Sequence, residues 1–259
     1  MYRFTCLAAL AAFTALAAAP SAAQEWTTVR IAMDATYPPF ESLDASGEIV
    51  GFERDIGEEL CKRMNVTCEF TNQAWEGIIP GLLANEYDAI LSSMSITEER
   101  KLQVDFSDKI YNTPPAIAVP KDSAIAEATP EALTGKSIGA QTSTTHANYA
   151  EAKFPDIDLK IYPSPNEYKL DLANGRIEAA IDDVVVLDEW VKSEDGACCK
   201  VLGVLPTDPV INGEGAGVAI RKEDTSLKDM FNKAIAEIIA DGTYKTINDK
   251  YFSFDVYGS

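Results

Sequence analysis

Residues 92–100, with the sequence SSMSITEER, follow a short apolar run at 89–91 that predicts a buried strand. Ser95 or Thr97 can cap a following helix, and two glutamates suit its first turn. Arg100 suits that turn poorly, because a cation near a helix N-terminus meets the positive end of the helix dipole. A bound anion would explain its presence, since a guanidinium matches a carboxylate in two parallel hydrogen bonds. A solvated arginine on a helix face would fit the same pattern equally well.

The composition is that of an acidic globular protein. The chain has 259 residues, of which 46% are hydrophobic and 24% charged, and its formal net charge is −19. Such an acidic surface favours solubility and disfavours nucleic acids and anionic membranes as partners. We expect a soluble protein that binds no nucleic acid, and we also expect it to act as a monomer without a cofactor.

Residues 1–23 differ in composition from the rest of the chain. A charged start precedes an apolar stretch at 7–19 and a small-residue segment at 20–23, which is the pattern of a secretory signal peptide. We expect cleavage after Ala23 and export to the periplasm. No later segment approaches the roughly 20 apolar residues that a membrane-spanning helix needs.

Four cysteines follow the predicted cleavage site, and export permits disulfides. Cys61 and Cys68 close a short loop between a predicted helix end and a strand start, and we interpret this pair as a structural disulfide. The adjacent Cys198 and Cys199 could form a vicinal disulfide or remain two thiols. We expect no metal site, because the cysteines lack a paired C-x-x-C pattern and His146 is the only histidine.

Strands and helices alternate along the chain in two series. This pattern predicts an α/β fold with two lobes, each a mostly parallel sheet flanked by helices. A proline pair at 114–115 and a glycine-rich segment at 213–217 indicate two hinge crossings between the lobes. The predicted division is the first part of lobe 1 at 24–112, lobe 2 at 113–212, and the return segment of lobe 1 at 213–259.

Polar and aromatic residues follow several of the predicted strands. In open α/β sheets, ligands lie beyond the carboxyl ends of the strands. The residues at these ends are Asp34, Tyr37, Trp75, Ser92, Ser93, Ser95, Arg100, Thr144, Thr145 and Asp183. The set contains a carboxylate holder, two acids and two aromatic faces, and it fits an amino acid zwitterion. The aromatic residues could instead pack in the core.

Several motifs of the chain are shared with one known family. They are DATYPPFE at 34–41, GFERD at 51–55, LCKR at 60–63, DAILSSMSITEER at 88–100, GRIEAA at 175–180, RKED at 221–224 and DGTY at 241–244. On these motifs the chain resembles the family 3 periplasmic solute-binding proteins of polar amino acid ABC transporters. Within that family it most resembles the lysine/arginine/ornithine- and histidine-binding proteins. The resemblance implies a type II periplasmic binding protein that closes on its ligand by hinge motion, delivers it to a membrane permease and performs no catalysis.

The resemblance also assigns roles at the main-chain end of an amino acid ligand. Arg100 would bind the α-carboxylate, together with the backbone N–H groups of Ser93 and Thr145. Asp183, Ser93 and Ser95 would bind the α-ammonium group. The same resemblance supports the Cys61–Cys68 pairing, because the similar proteins have a disulfide at these positions.

At the side-chain end, the resemblance places the ligand between Tyr37 and Trp75, with Asp34 and Ser92 receiving its distal cation. Among the candidate ligand-binding residues, two depart from the family pattern. Gln141 replaces a leucine that faces the ligand side chain, and its amide could bond either a guanidinium or an opine carboxylate. His146 replaces a glutamine beside Thr144 and Thr145, and it could contact the ligand or simply lie at a helix start.

We therefore predict binding of a cationic amino acid, namely arginine, lysine, ornithine or histidine. One alternative is an opine receptor, since similar proteins with a Thr-Thr-His helix start include octopine-type binders. Another is an enzyme resembling periplasmic cyclohexadienyl dehydratases, although the cleft acids Asp34 and Asp183 are better explained as partners of ammonium groups. A chemotaxis coreceptor would bind the same ligand.

Overall fold

The computed structural model describes residues 25–258, so the predicted signal peptide lies outside the described residues. The strands are β1 (Thr28–Met33), β2 (Thr36–Tyr37), β3 (Glu41–Leu43), β4 (Ile49–Val50), β5 (Thr67–Asn72), β6 (Ala89–Ile90), β7 (Asp105–Phe106), β8 (Pro115–Pro120), β9 (Ser137–Gln141), β10 (Asp158–Tyr162), β11 (Ala179–Asp183), β12 (Cys199–Val204) and β13 (Ala219–Ile220). The helices are α1 (Phe52–Met64), α2 (Trp75–Leu83), α3 (Glu98–Lys101), α4 (Pro130–Leu133), α5 (Thr145–Lys153), α6 (Pro165–Ala173), α7 (Val184–Lys192), α8 (Pro209–Asn212), α9 (Thr225–Ala240) and α10 (Thr243–Tyr251). None of the helices within 25–258 is long and apolar enough to cross a membrane.

Two five-stranded sheets form the centres of two lobes, which confirms the predicted fold class. The sheet of the first lobe has the order β5-β1-β6-β13-β7, and that of the second has the order β10-β9-β11-β8-β12. A small sheet of β2, β3 and β4 adjoins the first lobe. The predicted lobe boundaries at 112/113 and 212/213 fall between these groups of strands and stay a prediction.

One strand in each large sheet runs against its neighbours. β13 is antiparallel to both β6 and β7, and β8 is antiparallel to both β11 and β12. Each reversed strand is the first one after the chain has crossed from the other lobe. The other strands of each sheet end at the edge that faces the other lobe. A chain that arrives from the other lobe starts at that edge, so its first strand must run in the opposite direction. The two crossings therefore make both sheets mixed, with one reversed strand in each otherwise parallel sheet.

The core of the first lobe joins α1 to the C-terminal part of the chain. Phe52 begins α1, is fully buried and packs edge-on against Tyr244 of α10 and against Phe252. Asn65 ends α1 with φ 56°, in the left-handed conformation that closes many helices. The Cys61–Cys68 disulfide ties the last turn of this helix to β5, as predicted.

The adjacent cysteines of the second lobe remain thiols in the structure. Cys199 is the buried first residue of β12, and Cys198 precedes it on the surface. Their sulfur atoms lie 2.8 Å apart, and burial raises the pKa of the Cys199 thiol to about 12. The sequence left open a vicinal disulfide or two thiols, and the structure contains the two thiols.

An ion pair network around the buried Asp88 stabilises the first lobe. Asp88 accepts hydrogen bonds from Arg30 at 2.8 Å and from Arg221 at 3.1 Å. Arg221 is 4% exposed, lies just after β13 and also donates to the carbonyl oxygens of Leu82 and Tyr87. The network thus anchors the return segment to the first part of the lobe, and its arginines hold the pKa of Asp88 below its usual range.

Replacing Asp88 with alanine is expected to lower the free energy of unfolding by about 3 kcal/mol, because it leaves a buried guanidinium without its carboxylate. Arg221 keeps a second acidic partner, Asp224 at 2.7 Å, which places the loss at the lower end of the usual range. Urea denaturation measures the effect. The control is Asp188→Ala, which removes an exposed carboxylate that pairs with Lys192 and should leave stability unchanged. Equal stability of both variants would contradict the prediction.

Candidate ligand-binding site

A cavity lies between the two lobes, where strands from both sheets end. Asp34 follows β1, Ser92 and Ser93 follow β6, and Gln141 is the last residue of β9. The residues that line the cavity are Asp34, Tyr37, Glu41, Trp75, Ser92, Ser93, Ser95, Arg100, Gln141, Thr144, Thr145 and His146. All the site residues predicted from the sequence are therefore present except Asp183, which lines an adjoining cavity together with Tyr37, Ser93, Ser95, Thr145 and His146.

Arg100 enters this cavity with only neutral partners among the described residues. Thr97 caps the short helix α3, and its hydroxyl accepts the backbone N–H of Arg100 at 3.2 Å. The guanidinium donates to the carbonyl oxygens of Ser95 at 3.0 Å and of Ser143 at 3.1 Å, and it lies 5.2 Å from the ring centroid of Trp75. Burial lowers its pKa to about 10, so it stays charged at neutral pH. A partly buried cation bonded to carbonyl groups is suited to hold an anion.

Two acids of the first lobe line the cavity, and neither has a cationic side chain as partner in the part of the chain that the structure describes. Asp34 is 7% exposed and accepts hydrogen bonds from Gln141 at 3.2 Å and from Thr36 at 3.0 Å. Glu41 is fully buried and accepts the Ser92 hydroxyl at 3.2 Å. Burial raises the pKa of both carboxyl groups. Within residues 25–258, no group of three or more Asp, Glu, His or Cys side chains is placed to hold a metal ion.

Ser93 is held from behind by two buried glutamates. Its backbone N–H donates to Glu53 at 2.7 Å, and its hydroxyl donates to Glu41 at 3.1 Å. These bonds hold Ser93 at φ 52°, a left-handed conformation that few residues other than glycine adopt. Burial raises the pKa of Glu53 to about 7. The N–H group that the resemblance assigned to a ligand carboxylate is therefore already bonded within the first lobe.

The second lobe contributes a helix start and two consecutive acids. Thr144 caps α5, because its hydroxyl accepts the N–H of Ala147 at 3.2 Å. Asp183 caps α7 in the same way, accepts the N–H of Val185 at 2.7 Å and receives the hydroxyl of Thr113. Burial raises its pKa to about 7. Asp182, one residue earlier in β11, points to the other face of the strand.

The sequence matches the model of one protein family, described as bacterial extracellular solute-binding proteins, family 3, over residues 29–254. The chain belongs to this family. An L-arginine-binding protein of Pseudomonas aeruginosa is 42% identical over 235 residues, which cover 89% of this chain and 90% of that protein. A histidine-binding periplasmic protein of Escherichia coli K12 is 40% identical over 255 residues, which cover 97% of each.

A solved structure supports the fold of a periplasmic binding protein. A periplasmic binding protein of Salmonella typhimurium, described as having high arginine specificity, superposes with a TM-score of 0.81 at 32% identity. The superposition covers 88% of this family 3 chain and all of the other.

The two lobes of this family 3 protein are closed on each other. Ser143 of the second lobe accepts hydrogen bonds from Arg100 and, at 3.4 Å, from the indole of Trp75. Gln141 reaches Asp34 across the same cleft. Further contacts across it join Ser95 to Thr145 at 3.4 Å, and Tyr37 to Asp182.

Sequence reasoning missed two residues of this family 3 site, Glu41 and Asp182. Glu41 stands in the motif at 34–41, but a residue in the following short strand gave no sign that it would face the cavity. The dipeptide at 182–183 did give a signal. Consecutive strand residues point to opposite faces of a sheet, and the sequence does not tell which of the two acids faces the cleft. Both acids should therefore have been considered.

Proposed function

We propose that this protein binds a cationic amino acid, namely arginine, lysine, ornithine or histidine, in the cleft between its lobes. The observation that carries the proposal is the charge distribution of one cavity. Among the residues that the structure describes, Arg100 is a cation with neutral partners, while Asp34 and Glu41 are acids without cationic partners. An amino acid with one carboxylate and two cationic groups would supply the missing charges. The arginine- and histidine-binding relatives support the same class of ligand.

Gln141 favours a cationic ligand side chain over an opine. Its amide nitrogen already donates to Asp34 at 3.2 Å and to the carbonyl oxygen of Pro163 at 3.1 Å. Both amide hydrogens are thereby used, and the remaining oxygen can only accept. An acceptor suits the N–H groups of a guanidinium or ammonium, whereas the second carboxylate of an opine would need a donor.

Family membership further supports a role in transport. We propose that the protein is exported by its N-terminal segment, closes on the amino acid in the periplasm and delivers it to the permease of an ABC transporter. Closure by a hinge at the two crossings would bring Arg100 and Trp75 of one lobe against Ser143 of the other. No catalytic step is part of this proposal, since the cavity acids Asp34 and Glu41 are accounted for as partners of the two ligand cations.

Thermal melting against a ligand panel tests the proposal. The mature protein is freed of bound ligand by unfolding and refolding, and is then melted with lysine, arginine, ornithine, histidine, glutamine, octopine or prephenate. A ligand at about 100 times its dissociation constant adds roughly 2.7 kcal/mol of stability, which raises the melting temperature by several degrees. We expect shifts with the basic amino acids. A shift with octopine alone would mean that the ligand is an opine and not a basic amino acid. Consumption of prephenate without any shift would indicate an enzyme.

A further inference from the structure

Asp182 receives hydrogen bonds from both lobes. Within the second lobe, the hydroxyl of Tyr168 and the backbone N–H of Asp183, at 2.7 Å, donate to its carboxylate. From the first lobe, the hydroxyl of Tyr37 donates to the same group. His146 lies beside it, with Nδ1 3.1 Å from Oδ1. Asp182 is only 3% exposed, so water cannot readily replace a donor that is lost.

Two of these partners line the candidate ligand cavity, namely Tyr37 and His146. Tyr37 belongs to β2 of the first lobe, and its hydrogen bond to Asp182 crosses the cleft. Nδ1 of His146 faces the Asp182 carboxylate at 3.1 Å, which favours a proton on that nitrogen. The orientation of both side chains is therefore tied to one carboxylate that does not itself line the cavity.

Asp182 is also the acid that opposes the effect of burial on two basic groups of the second lobe. Lys169 of α6 is buried, and α6 packs against β2 across the lobe interface. Burial lowers the pKa of the Lys169 amino group, and Asp182 opposes that effect. Burial and the nearby Arg100 lower the pKa of His146, and Asp182 again opposes them. The carboxylate is thus the common negative charge of this part of the interface.

We propose that Asp182 is a positioning residue for ligand capture, which holds Tyr37 and His146 in place across the closed cleft without touching the ligand. The proposal rests on the binding function proposed above. The Tyr37–Asp182 hydrogen bond joins the two lobes, so it stabilises the closed complex and not the separate lobes. Removing this hydrogen bond therefore speeds ligand dissociation more than it slows association.

A double-mutant cycle with L-arginine tests this role. Tyr37→Phe keeps the ring and removes only the hydroxyl, while Asp182→Asn keeps the shape and removes the charge. By calorimetry and stopped-flow dissociation, we expect each single variant to bind about tenfold more weakly, since each loses a hydrogen bond to a charged group. The double variant should be little worse than the weaker single one. Losses that multiply in the double variant would overturn the proposal.

A matched tyrosine–aspartate pair within the second lobe provides the control. Tyr162 donates to Asp171 at 2.8 Å, and neither residue lines the cavity. Asp171→Asn removes a carboxylate from a tyrosine without affecting a contact between lobes. We expect its affinity for L-arginine to stay within about twofold of the wild-type value, as neutral surface changes do. A tenfold loss would show that any tyrosine–aspartate pair of this lobe matters equally, which contradicts the proposal.

The imidazole of His146 gives a readout that a merely structural role of Asp182 would not change. His146 is the only histidine of the chain, so its NMR signals need no assignment. In the arginine-bound wild type we expect the tautomer protonated at Nδ1. Asp182→Asn should alter the tautomer balance and lower the pKa of the imidazole, because the neighbouring anion is gone. An unchanged titration and an unchanged tautomer would overturn the proposal.

Failure of the binding function would be distinguishable from failure of this inference. If the wild type binds no amino acid of the panel, the proposed function is wrong. The titration of His146 then still tests the role of Asp182, because both residues lie in the second lobe and their contact needs no ligand. Asp182→Asn should lower the pKa of the imidazole in the ligand-free protein, and an unchanged titration would overturn the role of Asp182.

Discussion

Replacing Arg100 with alanine is expected to abolish detectable amino acid binding, with a loss of about a hundredfold to several thousandfold in affinity. The guanidinium is the cation of the cavity that has only neutral partners, two carbonyl oxygens on opposite lobes. A ligand carboxylate placed there without it would be buried unpaired, which costs about 3–5 kcal/mol. Isothermal titration calorimetry with arginine, lysine and histidine measures the loss.

The ligand-free Arg100→Ala variant should fold normally, because burial of an unpaired cation does not stabilise the protein. The lowered pKa of Arg100 expresses the same cost. The control is Lys101→Ala, which removes the next cation of α3, one that pairs with the exposed Glu98 at 2.9 Å. Its affinity should match that of the wild type. Near-normal affinity of Arg100→Ala would exclude this arginine as the carboxylate partner.

Replacing Asp34 with asparagine is expected to weaken binding of arginine and lysine by about 10–100-fold, and of histidine far less. Asp34 lies in the cavity and bonds only neutral groups, the Gln141 amide and the Thr36 hydroxyl. A distal cation would therefore lose its charged partner, which is worth about 1.5–3 kcal/mol for a hydrogen bond to a charged group. Histidine has no full positive charge at that position at neutral pH, so it loses little.

Calorimetry with the three ligands measures these ratios. The matched control is Asp44→Asn, an exposed acid of the same lobe that accepts a hydrogen bond from Ser46 at 2.7 Å in a turn. It should leave all three affinities unchanged. Equal losses for arginine, lysine and histidine in Asp34→Asn would mean that this acid does not recognise the distal cation.

Most of the site was predictable because its residues follow strands at one edge of each sheet. A strand that ends in polar residues places them at the cleft, whatever the details of packing. Arg100 could be singled out because a cation at a helix start is locally unfavourable. The structure directs the Arg100 side chain into the cavity, where it bonds carbonyl groups of both lobes, and its role in holding an anion stays a prediction.

The remaining features depend on contacts between distant segments. Glu41 and Glu53 meet behind Ser93, and no pattern in the sequence indicates that two acids would be buried together there. The contacts of Asp182 come from residues of β2, α5 and α6, which come together only when both lobes are complete. The reversed direction of β8 and β13 likewise follows from how the chain crosses between lobes, and local periodicity carries no information about it.

The position of β13 has a consequence for the order in which the lobes are completed during synthesis. All strands of the second sheet lie between residues 115 and 204, so that sheet can form from one continuous stretch of chain. The first sheet needs β13, which pairs with both β6 and β7 but lies at Ala219–Ile220. Until those residues have been made, β6 and β7 face each other across the gap of one missing strand. The lobe that begins first is therefore the one that is finished last.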